Sequence, residues 1–192
     1  HELRTPIAAA LAQSQRMLAE AADGPTRDRA AAIEQSLRSL SRLSEKLLQL
    51  AKAEGGGMLA EQPQDLGVVL RHVLADIGTT AGASDRLVVT MPSGGVLFSR
   101  LDQDAFAILA RNLIENALKH GTSGEPVVVS LAPDGRFRVS NGGPVLAADD
   151  LQRLRRPFER GMTKAPGTGL GLAIVEAITT AVGGRLELHS PT

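Results

Sequence analysis

The sequence predicts a helical hairpin followed by an α+β two-layer sandwich, and three observations favour this fold class. Apolar residues at helical spacing run through residues 1–54. Three consecutive glycines at positions 55–57 then interrupt that pattern. After them, helix-like stretches alternate with short stretches rich in valine, typical of strands in a mixed domain. We therefore assign residues 1–54 to a helical hairpin, residues 55–64 to a linker and residues 65–192 to a second domain.

The composition limits the classes of protein to consider. The 192 residues carry zero formal net charge, from 21 basic and 21 acidic side chains, so no nucleic-acid surface is indicated. The chain has no cysteine, which excludes disulfides and thiolate metal sites. It contains no signal-peptide pattern and no apolar run of membrane-spanning length. Because a helical pattern is already under way at His1, and a strand pattern lies near the other end, we expect a longer protein.

The hairpin elements follow from spacing and break signals. Leu3, Ile7 and Leu18 lie on one stripe of a first helix that Asp23-Gly24-Pro25 ends. A second helix is predicted from about Thr26 to Glu54, with Ile33, Leu40 and Leu47 repeating at intervals of seven. Two helices of this length bury too little apolar surface to be stable alone, so we expect two copies to form a four-helix bundle.

The second domain is predicted to contain helices and mostly antiparallel strands. Each element is bounded by cap or turn residues. In chain order they are a helix capped by Asp65, strands at Arg86–Met91 and Val96–Ser99, a helix from Asp102 to Gly121, a hairpin of Pro126–Ala132 and Gly135–Ser140, a short helix around Leu151, a helix at Leu170–Val182 and a strand at Arg185–His189.

The helix before Gly121 carries a candidate polar site. At 100° per residue, Asn112, Asn116 and Lys119 fall within about 60° of one another, opposite an apolar arc. Amide oxygens are hard ligands suited to Mg²⁺, and an ammonium group suits phosphate. An ordinary amphipathic helix with a solvated polar face explains the same spacing, so both interpretations stay open for this stretch alone.

Two glycine stretches suggest further ligand contacts. Gly167, Gly169 and Gly171 lead into an apolar helix, where bare backbone amides and the helix N-terminus favour an anion. Their spacing matches neither the dinucleotide fingerprint nor the Walker A loop, and a simple helix-capping turn is the alternative. The Ser140–Pro144 turn follows a strand, and Asn141 there suits a flat heterocycle, although Asn-Gly is also a common turn. Arg160, in the loop before the glycines, is a candidate phosphate contact.

Taken together, these stretches resemble the catalytic core of bacterial sensor histidine kinases along nearly the whole chain. His1-Glu2-Leu3-Arg4-Thr5-Pro6 resembles the H box of that family. Four further matches follow in the family's order: Asn112–His120 (N box), Ser140–Pro144 (G1 box), Pro157–Arg160 (F box) and Gly167–Val175 (G2 box). Five matches in one order make the resemblance specific.

The resemblance implies a dimerisation and phosphotransfer hairpin joined to an ATP-binding sandwich of the Bergerat (GHKL) type. His1 is then the phosphoacceptor, Glu2 takes the proton from its ring, and Thr5 orients a water for dephosphorylating the partner. The implied cofactors are ATP and Mg²⁺, with Asn116 as the metal ligand. The residues implied in nucleotide binding are Asn112, Asn116, Lys119, His120, Asn141, Gly143, Arg160, Gly167, Thr168, Gly169, Leu170 and Gly171.

The resemblance also implies partners and a location. We expect a homodimer through the hairpin, phosphoryl transfer to an aspartate of a response regulator receiver domain, and no direct nucleic-acid contact. We expect a cytoplasmic domain of an inner-membrane-anchored protein whose anchor lies outside this sequence.

Three positions depart from the family pattern. Asn141 stands where the G1 box usually has aspartate, Val145 where a second glycine is usual, and Arg155 where the F box has an aromatic residue, which leaves Phe158 to anchor that loop. Two alternatives therefore stay open: a scaffold or phosphatase-biased relative that binds ATP weakly, and a GHKL ATPase. The ATPase requires a water-activating glutamate, and Asn112 occupies that position.

Overall fold

A computed structural model of the chain describes residues 4–21, 23–79, 83–159 and 167–191. The chain divides into two compact units, His1–Gln49 and Leu50–Thr192. In the first unit, α1 spans Arg4–Glu20 and is followed by α2, Pro25–Glu54, whose last turn belongs to the second unit. The predicted break between the helices is confirmed, with Pro25 in the first turn of α2, where its missing N–H costs nothing.

The turn between α1 and α2 is held by side-chain hydrogen bonds to the backbone. Arg27 Nη1 donates to the carbonyls of Leu18 (3.2 Å) and Ala21 (3.1 Å), which satisfies acceptors at the end of α1. Farther along the hairpin, the buried hydroxyl of Ser14 donates to Ala30 O at 3.2 Å. The heptad residues of α2 stay open to solvent in the single chain, with exposed fractions of 49% at Ile33, 48% at Leu40 and 40% at Leu47.

The described residues of the second unit form five strands and four further α-helices. The strands are β1 (Leu59–Asp65), β2 (Leu87–Thr90), β3 (Phe98–Leu101), β4 (Val127–Leu131) and β5 (Phe137–Asn141). The helices are α3 (Leu66–Gly78), α4 (Gln103–His120), α5 (Ala148–Arg153) and α6 (Gly171–Ala181).

The strands form two sheets, and helices cover one face of the larger sheet. β1 pairs with β3 antiparallel, and the second sheet has the order β2-β4-β5. In that sheet β2 and β4 are parallel, because the chain crosses over through α4, whereas β4 and β5 form the predicted antiparallel hairpin. The core joins α3 and α4 to β4; its largest fully buried side chains include Leu70, Ile114, Val127 and Val129. The predicted two-layer α+β fold class is confirmed.

Two segments differ from their predicted structure. Residues 59–65 were expected to be mostly linker, yet they form β1, because their backbone pairs with β3 although their side chains show no alternating apolar pattern. Residues 185–189 were predicted to form a strand, and they form none in the structure, since their backbone pairs with neither sheet. Leu186 and Leu188 nevertheless remain more buried than their neighbours, so the side-chain alternation that suggested a strand is present.

Within the described ranges, no helix combines the length and the apolar character that crossing a bilayer requires.

Asp65 joins α3 to the turn that precedes β3. Its side chain accepts from the backbone N–H of Gly67 at 2.9 Å, as an N-cap, and from that of Leu97 at 3.0 Å. These hydrogen bonds, the one from Leu97 foremost, hold the pKa of Asp65 below its ordinary value of 3.8, against an opposing effect of burial. The ionised carboxylate is therefore the form that the fold favours.

Replacing Asp65 by Ala should lower the free energy of unfolding by about 1 to 2 kcal/mol, because two backbone donors lose their acceptor. Asp65→Asn should cost less, because the amide oxygen still caps α3. Since the folded pKa is depressed, the advantage of aspartate over asparagine at this position should be present above pH 3.8 and disappear as the pH falls below it. Urea unfolding of the three proteins at several pH values measures this, with Asp149→Ala, an exposed carboxylate of α5, as the control. A pH-independent difference would contradict the prediction.

Candidate functional site

The site is built on α4, the most deeply packed helix of the second unit. Asp102 caps its N-terminus by accepting from Ala105 N at 3.0 Å, and Gly121 N donates to Ala117 O at its C-terminus, as the sequence predicted. Phe106, Ala110, Ile114 and Ala117 are buried against α3 and the sheet. This packing fixes the direction in which the polar side chains of α4 point.

The polar residues of α4 have different environments. Asn112 is only 5% exposed: its Nδ2 donates to Ile108 O at 2.8 Å, and its Oδ1 lies 3.4 Å from the position of a Cβ at Gly171. Asn116 is half-buried and Lys119 is exposed. A uniformly solvated polar face is therefore wrong for Asn112, because α6 packs on that side of α4.

The glycine stretch lies against the polar residues of α4. Gly167 is so close to the Lys119 ammonium that a Cβ at position 167 would collide with it. Leu170 is fully buried, and α6 begins at Gly171 without a side-chain cap. The Lys119 ammonium group therefore lies against one end of the glycine stretch, and the Asn112 amide oxygen lies against the other end, where α6 begins. This combination suits an anion with several oxygens.

A backbone bridge connects the segment after α5 to the same glycines. Phe158 N donates to Gly169 O at 3.0 Å, and both residues have positive φ, 65° for Phe158 and 70° for Gly169. A Cβ at Gly169 would lie 2.8 Å from Phe158 C and from Glu159 O. The Phe158 side chain is 59% exposed, and the described contact with the glycines is made by its backbone. Most of the loop that Phe158 was expected to anchor lies outside the described residues, so this expectation stays a prediction.

A second group of predicted residues meets where β5 ends. Asn141 is the last residue of β5, and its Nδ2 donates to Gly142 O at 2.9 Å, which turns Oδ1 away from that carbonyl. A Cβ at Gly143 would be 3.7 Å from both Asn141 Nδ2 and His120 O. The Glu125 carboxylate fills the space beside Gly142, so a larger residue at position 142 would have to displace this exposed side chain.

Arg86 was not identified from the sequence, although it holds this end of the site together. Its guanidinium donates to three backbone carbonyls, those of Leu118, Thr122 and Glu125, each at 3.0 Å. One of these carbonyls is in the last turn of α4, and Thr122 N in turn donates to Gly142 O at 2.9 Å. A lone arginine before a strand carries no signal in the sequence that could have revealed this role.

Four of the predicted catalytic and phosphate-contacting residues are not among the contacts described above. Thr5 lies exposed in the first turns of α1. His1, Glu2 and Arg160 are outside the described residues. Within the described ranges, no three acidic or histidine side chains cluster as a metal site, so a metal here would depend on amide oxygens.

Comparison with known proteins decides the family. The family description "His Kinase A (phospho-acceptor) domain" matches residues 1–56, and "Histidine kinase-, DNA gyrase B-, and HSP90-like ATPase" matches residues 101–192. The chain is 31% identical to the swarming motility regulation sensor protein RssA of Serratia marcescens and 33% identical to the histidine protein kinase DivJ of Caulobacter vibrioides. The chain belongs to the sensor histidine kinase family.

These alignments cover 98% and 99% of the histidine kinase core, but 41% of RssA and 34% of DivJ, so the chain spans less than half the length of these curated relatives. The fold is also that of a solved structure of full-length ShkA in complex with AMPPNP. That structure has a TM-score of 0.69 and 24% identity, and the match covers 95% of this chain and 40% of ShkA.

Gly169 is crowded by Phe158 and Glu159, whereas Gly143 has more room. This difference provides a test of the site geometry in this histidine kinase core. Gly169→Ala should destabilise the second unit by about 1 to 2 kcal/mol or more, because alanine is unfavourable at positive φ and its Cβ would contact Phe158. Gly143→Ala should change stability by less than about 0.5 kcal/mol, since Gly143 is not among the positive-φ glycines and a Cβ there would lie at an ordinary contact distance of 3.7 Å from its neighbours. Thermal and urea unfolding measure both; equal effects of the two substitutions would contradict this geometry.

Proposed function

We propose that the chain is the phosphotransfer and ATP-binding core of a sensor histidine kinase, which transfers the γ-phosphoryl group of MgATP to His1 and then to an aspartate of a response regulator. The observation that supports this most is the meeting of Lys119 and Asn112 with the Gly167–Gly171 turn. Lys119 and Asn112 come this close to the turn because both of its ends lack a side chain. A triphosphate, which offers many oxygens, fits an ammonium group and bare backbone amides.

The donor set of this site fits a magnesium nucleotide. In our proposal Lys119 neutralises phosphate oxygens and Asn116 offers its amide oxygen to Mg²⁺, which when bound would supply charge neutralisation for phosphoryl transfer. Thr168, Gly169 and Leu170 shape the phosphate end, with Arg160 as a further cation for the phosphates. The AMPPNP bound by ShkA supports a nucleotide of this type.

The adenine end would be formed by His120, Asn141 and Gly143. The hydrogen bond from Asn141 Nδ2 to Gly142 O leaves Oδ1 as the group that faces away from the turn. An amide oxygen accepts from the exocyclic amine of adenine, so Asn141 can take the role of the usual aspartate without its charge. We infer that ATP binds more weakly than it would with a carboxylate at this position, because a charged acceptor forms the stronger hydrogen bond.

The environment of Asn112 argues against the GHKL ATPase alternative. Activation of water for hydrolysis requires a base, and an amide has no basic group at neutral pH. In addition, the Asn112 amide is buried and already donates to Ile108 O. A site of this kind suits transfer of the γ-phosphoryl group to another acceptor.

The proposed acceptor is the ring of His1. Glu2 would take the proton from one ring nitrogen while the other attacks the γ-phosphorus, so a nitrogen–phosphorus bond forms as ADP leaves. The half-exposed stripe of Ile33, Leu40 and Leu47 supports a homodimer, because two such stripes would bury each other. The use of intracellular MgATP places this core in the cytoplasm in our proposal, with any membrane anchor in segments outside this sequence.

Incubation of the chain with γ-labelled MgATP tests the kinase. We expect an acid-labile, base-stable label on the protein, which His1→Gln should abolish because the acceptor nitrogen is lost. Asn116→Ala should reduce labelling by about tenfold or more, because a ligand of the metal is removed. His72→Gln, an exposed histidine of α3, is the matched control and should label normally.

The same experiment separates the alternatives. Hydrolysis of ATP without protein labelling would favour the GHKL ATPase. Absence of both activities together with weak nucleotide binding would favour the scaffold or phosphatase-biased relative.

Thr5→Ala should leave the labelling of His1 unchanged and slow the loss of phosphate from the response regulator by about tenfold or more. The reason is that the Thr5 hydroxyl, exposed on α1, would position the attacking water and has no part in phosphoryl transfer from ATP. Parallel assays of autophosphorylation and regulator dephosphorylation measure the two steps, with Thr26→Ala in α2 as the control. Equal slowing of both steps would rule out this role for Thr5.

A further inference from the structure

Residues 154–158 form the turn after α5. An ion pair connects this turn to α6, and its arginine stands where the family has an aromatic residue. Arg155 Nη1 lies 3.4 Å from Glu176 Oε2 on α6, and each side chain is 35% exposed. The pair borders a cavity of about 390 Å³, whose lining also includes Pro157, Ala173 and Ala177. Because about two thirds of each side chain is buried, the pair is screened less than a fully exposed pair on the surface.

The ion pair lies close to the backbone bridge between Phe158 and Gly169. Arg155 is three residues before Phe158, and Glu176 follows Gly169 after about two helical turns. The exposed Phe158 ring contributes little apolar burial that could hold the turn in place. Two polar contacts are described between this turn and the residues from Gly167 onward. They are the Phe158–Gly169 hydrogen bond and the Arg155–Glu176 ion pair.

The position of this turn affects the proposed phosphate site directly. Gly169 accepts the hydrogen bond from Phe158 N, and its neighbours at 167 and 171 lie against Lys119 and Asn112. A movement of the turn away from α6 would break or shift the hydrogen bond to Gly169 O. It would thereby displace the Gly167–Gly171 stretch relative to Lys119 and Asn112. The backbone at position 169 has little room to absorb a movement toward Phe158, since even a Cβ there would lie only 2.8 Å from Phe158 C.

We propose that Arg155 and Glu176 are a positioning pair, which holds the turn after α5 against α6 and so fixes the Gly167–Gly171 stretch for nucleotide phosphates. The role replaces, by charge, the anchoring that an aromatic ring gives in the family pattern. This inference rests on the proposed function for its effect on ATP. Its structural part concerns the hydrogen bond from Phe158 to Gly169, which can be measured in samples without nucleotide.

The test uses the full chain and three variants: Arg155→Gln, Glu176→Gln and the exchange Arg155→Glu with Glu176→Arg. The first readout is amide hydrogen exchange at Phe158 without nucleotide, compared with Val129 in β4 as a measure of global stability. The second readout is the Kd for MgAMPPNP from calorimetry, together with KM and kcat for labelling by MgATP.

Each single variant should accelerate exchange at Phe158, leave Val129 protected, and raise the Kd and KM about threefold to fivefold with little change in kcat. The charge-swapped variant, Arg155→Glu with Glu176→Arg, should return both the hydrogen exchange at Phe158 and the Kd toward the original values. Arg136→Gln, which removes an exposed ion pair with Asp134 in the β4–β5 hairpin, should change neither readout.

Unchanged Phe158 exchange in both single variants would overturn the inference. Faster hydrogen exchange at Phe158 with an unchanged Kd for MgAMPPNP would also overturn it, because the turn would then be uncoupled from the phosphate site. A third outcome separates the two proposals. If the single variants accelerate amide hydrogen exchange at Phe158 and the charge-swapped variant restores it, while the original chain binds no nucleotide, the positioning pair is supported and the proposed function fails.

Discussion

The burial of α4 is the constraint on which the second unit depends. Its apolar side packs on α3 and the sheet, where Phe106, Ala110 and Ile114 are almost completely excluded from water. This packing leaves α4 no freedom to rotate, since each turn presents a buried group. The orientation of Asn112, Asn116 and Lys119 is therefore set by the hydrophobic effect acting on the opposite side of the helix. α6 then covers Asn112 and brings the glycine stretch to Lys119.

Much of the fold could be predicted, because local signals and tertiary packing agree at many positions. Asp102 and Gly121 mark the two ends of α4 in the sequence, and both are cap residues in the structure. The predictions failed where strand pairing depends on residues far away in the sequence. β1 contains Pro63 and several polar residues, so only its partner β3 shows that it is a strand. Residues 185–189 have the alternation of a strand, but alternation cannot supply a neighbouring strand with which to pair.

The sequence predicted where the candidate residues lie on their helices and strands better than it predicted what surrounds them. Helical periodicity brought Asn112 and Lys119 to one face, but it could not show that a second helix would bury the first of them. Asn141 was expected at the end of a strand and lies there, whereas the Glu125 carboxylate beside it came from a loop with no distinguishing pattern. The contacts of Arg86 and Arg155 were missed for a common reason. Their partners are 21 to 39 residues away, and such long-range pairing leaves no periodic mark in a single sequence.

The contact between Lys119 and Gly167 links two positions that are 48 residues apart. Because the ammonium group occupies the space that a side chain at 167 would need, a residue larger than glycine there would have to displace the end of the flexible Lys119 side chain. We therefore expect position 167 to stay small in relatives that keep a lysine at position 119. In the proposed nucleotide site, this end is constrained by two residues at once, whereas Asn141 at the other end can change separately.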